Sequence, residues 1–151
     1  MKAYSQETRY SCGASAIRNC ISALGGQVPS EKYVRRIAGT TINGTNETGI
    51  VKALNKLGYK CESYYTENTL AYKNKLSKVL QAGSVVITII DNQIHWIAAV
   101  GYSNRKITFV DSDFKKIKQE ISLKDFVKIS GNTDKFNKSY FYYLIIISNN
   151  V

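Results

Sequence analysis

The spacing of apolar positions changes halfway along the chain, and that change predicts the architecture. After Ser11, the residues Ala14, Ile17, Cys20, Ile21 and Leu24 recur every three or four positions, the period of a helix with one buried face. Ser11 is the expected N-cap, its hydroxyl taking a free N–H of the first turn. Gly25-Gly26 is the stop. A second helix should open at Val28-Pro29-Ser30, where proline costs least, and bury Tyr33, Val34, Ile37 and Ala38. Residues Gly39–Thr48 are a Gly-, Thr- and Asn-rich loop. A third helix buries Ile50, Ala53, Leu54 and Leu57 and ends at Gly58. Tyr59–Tyr65 reads as a short strand. A fourth helix spans Leu70–Gln81 with Leu76, Val79 and Leu80 inward.

Beyond Gly83 the period falls toward two and β-branched residues take over. Val85–Ile90 predicts a buried strand and Ile94–Tyr102 its hairpin partner, across a turn at Asp91-Asn92. Ile107–Val110 follows the 103–106 turn and stops at Asp111-Ser112-Asp113. Ile117–Ile121 reads as an edge strand. Ser122-Leu123-Lys124-Asp125 fits a capping box for a short helix through Ile129. Ser130–Lys138 is polar loop, and Tyr140–Ile147 is a closing strand. Helices first and strands second predict an α+β fold, an N-terminal helical layer packed on a C-terminal antiparallel sheet. At 151 residues, with no repeat or low-complexity linker, the expectation is one domain over 1–151.

Composition narrows the partners. The net charge is +10, from 21 Lys and Arg against 11 Asp and Glu. That charge fits an acidic partner. The basic residues are scattered rather than run together, which argues against nucleic acid as the main partner. The longest apolar runs, 85–90 and 141–147, are far short of the roughly 20 residues a membrane span needs. The start, MKAYSQETRY, has no apolar leader. Three cysteines, an odd number, suit a reducing compartment, so a cytoplasmic location is expected. Cys12 and Cys20, eight positions apart on one helix, are about 12 Å apart and beyond disulfide reach. Cys20 and Cys61 are expected in the core.

The chemistry gathers on few residues. Cys12 falls in the first turn of its helix, where free N–H groups and the positive dipole end favour a thiolate. Gln6, six residues upstream, can return its amide to the sulfur. The single histidine, His95, sits near the start of a strand. Asp111 ends the next one. Counted outward from the 103–106 turn, the two lie near the same end of the ladder, within reach given a bulge. A thiol nucleophile needs an imidazole to take its proton, a carboxylate to orient that ring, and donors for the oxyanion. Cys12, His95, Asp111 and Gln6 supply one candidate each, with the Cys12 N–H as a second oxyanion donor. Asp91, Asp113 and Asp125 read as turn or helix caps. Trp96, Tyr64, Tyr65 and the Tyr140–Tyr143 cluster read as core or groove wall. A zinc site from Cys12, Cys20, Cys61 and His95 lacks any close-spaced cysteine pair, so no metal or other cofactor is expected. The 39–48 loop lacks the GK[ST] ending of a phosphate loop.

Four stretches, in order, resemble the papain-like cysteine peptidases, most closely the bacteriocin-processing peptidases that cut after double-glycine leaders. QETRYSCGASA is similar to that family's Gln-loop-Cys-Gly opening. GTTINGTNETGIVKALNKLGY is similar to its polar loop and following helix. IHWIAAVGYSNRKITFVDS matches its His-strand-Gly-turn-strand-Asp pattern, and ISLKDFVKI its Leu-x-x-Phe helix. The resemblance implies a papain-like fold and a cysteine peptidase-like hydrolase cleaving a peptide, isopeptide or amide bond through an acyl-enzyme. It makes Cys12 the nucleophile, His95 the base and later the acid, Asp111 its orienting group and Gln6 the oxyanion donor, with a peptide or protein as substrate. Ser11 stands where that family usually has Asp, and Ser112 where it usually has Pro. The opening also looks like phytochelatin synthase, a papain-like transpeptidase, so acyl transfer is an alternative. A non-catalytic binding module on the same scaffold is another.

Overall fold

The structure is a computed structural model that describes residues 1–91, 95–113, 117–133 and 140–148. In chain order the elements are α1 (Cys12–Ala23), α2 (Glu31–Ala38), α3 (Glu47–Lys56), β1 (Cys61–Thr66), α4 (Thr69–Gln81), β2 (Val85–Ile90), β3 (His95–Ser103), β4 (Lys106–Val110), β5 (Lys118–Ser122), α5 (Leu123–Ile129), β6 (Asn132–Thr133) and β7 (Tyr140–Ile147). The sheet runs β1-β7-β2-β3-β4-β5, every pair antiparallel, with β6 joined to β7. This is the expected α+β arrangement of helices on an antiparallel sheet.

Alternation along the strands divides the core in two. Val85, Ile87 and Ile89 of β2, Trp96 and Ala98 of β3, and Ile145 and Ile147 of β7 pack under α1, α2 and α3. The intervening residues Val86, Ile90, Ile97, Ala99, Leu144 and Ile146 pack with Tyr72, Leu76 and Leu80 of α4 and Phe126 of α5. Successive side chains of a strand point to opposite faces, so helices cover both. β2 is buried at every position, which is why it reads as an apolar run broken only by Thr88.

Local signals fix the element ends. Ser30, Asn46, Asn68 and Ser122 each accept a backbone N–H from the residue three positions on, capping α2, α3, α4 and α5. Gly39 closes α2 in the left-handed conformation, at φ 68°. The β3–β4 hairpin turns on Asn104 and Arg105, both at positive φ, the geometry of a two-residue primed turn. α1 departs from expectation. Ser11 gives it no side-chain cap. Its hydroxyl instead accepts from the Thr8 N–H and donates to the Thr8 carbonyl, tightening the loop that precedes Cys12.

Other expectations shift by small amounts. Cys20 is fully buried, whereas Cys61 is only partly so, because β1 is an edge strand. Trp96 and Tyr142 are core, while Tyr65 is half exposed. The 130–138 stretch is not all loop, since Asn132 and Thr133 pair with Phe141 and Tyr140. Asn92 of the expected β2–β3 turn, Ile94 and residues 134–138 lie outside the described residues.

Candidate active site

The N-terminal segment is strapped along α1. The buried Asn19 side chain bonds both the N–H and the carbonyl of Tyr4, and Ser15 donates to the same carbonyl. The Arg18 guanidinium stacks 4.2 Å over the Tyr4 ring. A second anchor lies three residues on. Glu31, fully buried on α2, accepts the Glu7 N–H at 3.0 Å and pairs with Arg35. Gln6 is held between these two fixings. Its backbone N–H reaches the Ser112 carbonyl, and its side-chain oxygen accepts from the Ser112 hydroxyl at 2.7 Å. Its Nε2 donates to the Thr8 carbonyl at 2.7 Å. An amide nitrogen carries two hydrogens, so one remains for another acceptor.

Cys12 is the first residue of α1 and is 8% exposed. The N–H groups of a helix's first turn have no partner within the helix. Gly13 lets the turn sit tightly, because a Cβ there would come within 2.9 Å of Thr45 Cβ. Thr45 in turn accepts the indole N–H of the buried Trp96 at 2.9 Å. The loop before α3, the start of α1 and the start of β3 are thereby locked together, with His95 next to Trp96.

Asp111, fully buried just past β4, places Oδ1 2.8 Å from His95 Nε2. The expected bulge is present. It falls between Ala99 and Gly101 and leaves Ala98 opposite Val110. The ladder ends at that pair, three residues short of His95 and one short of Asp111. The Asp113 N–H donates to Asp111 Oδ1 at 3.0 Å, and its carboxylate stands 3.7 Å from His95 Nδ1. Asp113 lies in the turn as expected, and its carboxylate also stands close to the ring.

The Cys12 thiol also interacts with the His95 ring, so Cys12, His95 and Asp111 come together, while Gln6 reaches this neighbourhood only through Ser112. Burial opposes a charge on the ring. The hydrogen bonds to Asp111 and then Cys12, with the charges of both, outweigh that burial and raise the pKa to about 10. The other thiols have different addresses. Cys20 lies against the Val86 carbonyl and Cys61 against the Asn55 side chain, each at 3.9 Å. Burial pushes both of their pKa values up. A cavity of about 510 Å³ opens beside the site, between Gln6–Arg9 and Ser112-Asp113. Among the described residues no helix is long and apolar enough to cross a membrane.

The arrangement sets an imidazole beside a buried carboxylate and a thiol at a helix start. The model of the peptidase C39 family matches residues 1–150. Solved structures share the fold. The peptidase domain of Streptococcus ComA, a bifunctional ABC transporter of a quorum-sensing pathway, is 22% identical at TM-score 0.67, covering 94% of this chain and 96% of that one. A double-glycine-motif protease from an AMS/PCAT transporter, in complex with a leader peptide, is 18% identical at TM-score 0.69, covering 97% and 91%. A C39-like peptidase from Bacillus anthracis is 10% identical at TM-score 0.65, covering 95% and 93%. No curated protein sequence matches the chain. With the family model spanning nearly its whole length, the chain belongs to the peptidase C39 family and is a cysteine peptidase.

Proposed function

We propose that this chain hydrolyses a peptide or protein substrate through an acyl-enzyme on Cys12. The observation that carries the reading is the His95 ring, 2.8 Å from the buried Asp111 carboxylate and in contact with the Cys12 thiol. His95 takes the thiol proton, and the thiolate attacks the scissile carbonyl carbon. The negative oxygen is held by the Cys12 N–H and the remaining N–H of the Gln6 side chain. His95 then protonates the leaving amine, which departs and leaves a thioester. Water, deprotonated by His95, releases the acid and restores the thiol. Asp111 keeps Nε2 as the donor, so that the other ring nitrogen faces the sulfur. Three free cysteines suit work in a reducing compartment such as the cytoplasm.

The test is mass spectrometry with an electrophilic peptide probe on wild type, Cys12→Ala and His95→Ala. One adduct at Cys12 on wild type, with none on either variant, is the expected result. An adduct on Cys20 or Cys61, or equal labelling of His95→Ala, overturns the reading. A set of probes differing at the residue before the electrophile then reports substrate preference.

A further inference from the structure

Charge near the nucleophile is divided unevenly. The segment before Cys12 contributes to two cavities. The one of about 510 Å³ mixes signs, with Glu7 and Asp113 against Arg9. The second, of about 340 Å³, takes Tyr10 from that segment and Lys32, Arg35 and Arg36 from α2, with no acidic residue among its described lining. Arg35 is balanced by Glu31 and Glu7. Lys32 and Arg36 are exposed, and neither makes an ion pair among the described residues. Arg36 lies over the Tyr33 ring at 5.1 Å, a contact that uses the guanidinium face and leaves its N–H edge for an anion.

We propose that this second cavity docks an acidic stretch of the peptide substrate, with a carboxylate side chain seated between Lys32 and Arg36 a few residues from the bond that is cleaved. The two cations stand four positions apart on α2, so they share one helix face with Cβ atoms roughly 5–6 Å apart. That spacing lets both reach one carboxylate, Arg36 by a two-pronged hydrogen bond.

Both walls of the cavity belong to the framework of the site. Tyr10 is two residues from Cys12, at most about 7 Å of extended chain. On the other wall, Thr40 Oγ1 bonds Thr45 Oγ1 at 2.7 Å, and the Thr45 carbonyl holds the Trp96 indole beside His95. A peptide lying over the thiol advances about 3.3 Å per residue and so comes to this cavity within a few residues. Ile42, 80% exposed at the same cavity, adds an apolar contact next to the cations. Cations beside one bare aliphatic side chain suit a peptide of mixed acidic and apolar residues. Nucleic acid calls for a basic track along its backbone instead.

A second basic cavity supplies an internal comparison. Lys73, Arg105 and Lys124 surround about 410 Å³. Arg105 is in the β3–β4 turn, whereas His95 and Asp111 lie beyond the open end of that hairpin. This cavity offers the same charge away from the thiol.

The inference rests on the proposed hydrolysis for what the cavity serves, but its readout needs no turnover. Fluorescent (Glu-Ala)3 and (Gln-Ala)3 peptides are titrated against Cys12→Ala protein by anisotropy at about 50 mM salt, where screening is weak. The glutamate peptide should bind at least about tenfold more tightly. Adding Lys32→Gln and Arg36→Gln should cut that preference below about threefold. Adding Lys73→Gln and Lys124→Gln, which removes equal charge elsewhere, should leave it unchanged. Lys32→Glu with Arg36→Glu should instead favour (Lys-Ala)3, a gain that misfolding does not mimic. Equal affinity for the first two peptides, a preference that survives loss of Lys32 and Arg36, or an equal loss from the Lys73 and Lys124 pair overturns the proposal. So does a short single-stranded oligonucleotide that displaces the glutamate peptide at lower concentration than the unlabelled peptide itself. If the acidic peptide binds as expected but the electrophilic probe fails, the docking cavity stands and the hydrolytic reading falls.

Discussion

Asp111 reaches His95 from full burial, its Oδ1 2.8 Å from Nε2. In the proposed mechanism the carboxylate orients the ring with the proton on that nitrogen and leaves the opposite one to act as base. Asp111→Asn keeps the size and loses the charge. Turnover of a peptide substrate should fall about 10²–10⁴-fold, the range of a misplaced general base. Steady-state kinetics measure it, and a fall below threefold would remove Asp111 from the mechanism.

Folding raises the His95 pKa from its ordinary 6.5 to about 10. The folded state therefore holds the ring proton more tightly than the unfolded chain. That contribution to stability is complete below about pH 6.5 and fades as pH rises through about 10. The urea midpoint of wild type should drop more over this window than that of His95→Gln. Parallel curves would mean the ring gains no ionic partner on folding.

Ser112 holds Gln6 by its amide oxygen, so the amide hydrogens face away from Ser112. Removing one such hydrogen bond is worth about 1 kcal/mol. Ser112→Ala should slow probe labelling roughly fivefold and leave Cys12 in place. Gln6→Ala removes the donor itself and should cost about 10²–10³-fold. If Gln6→Ala labels faster than Ser112→Ala, the oxyanion assignment fails.

Glu31 acts at a distance through the loop. Its buried carboxylate takes the Glu7 N–H, next to Gln6, and pairs with Arg35 at 3.3 Å. Arg35 keeps some solvent contact, so removing its partner should destabilise by about 2–4 kcal/mol rather than more. Glu31→Ala is then expected to lower the unfolding midpoint and slow labelling of Cys12 together. An unchanged urea curve would show that the pair adds nothing.

Much of this was legible in the order of residues. The four long helices and the strand register follow from periodicity, because burial on one face imposes it. The His95–Asp111 approach could be counted from the turn, since a hairpin ladder converts sequence distance into position. Three features could not be read. That α4 and α5 cover the second sheet face leaves no trace, because β2 is buried at every position and apolar at all but Thr88 whichever layer packs on it. Ser11 kept its side chain for Thr8, as a short hydroxyl can bond within its own loop as easily as cap a helix. The Asp113 carboxylate beside His95 Nδ1 was not legible, because it lies in the turn past the end of the β3–β4 ladder.

The strand that closes this sequence, β7, is seated between β1 and β2 inside the sheet. Its alternate residues join both halves of the core, Ile145 and Ile147 on one side and Tyr142, Leu144 and Ile146 on the other. Neither half is complete before residues 140–147 are made, so the sheet closes around a segment synthesised after every other strand.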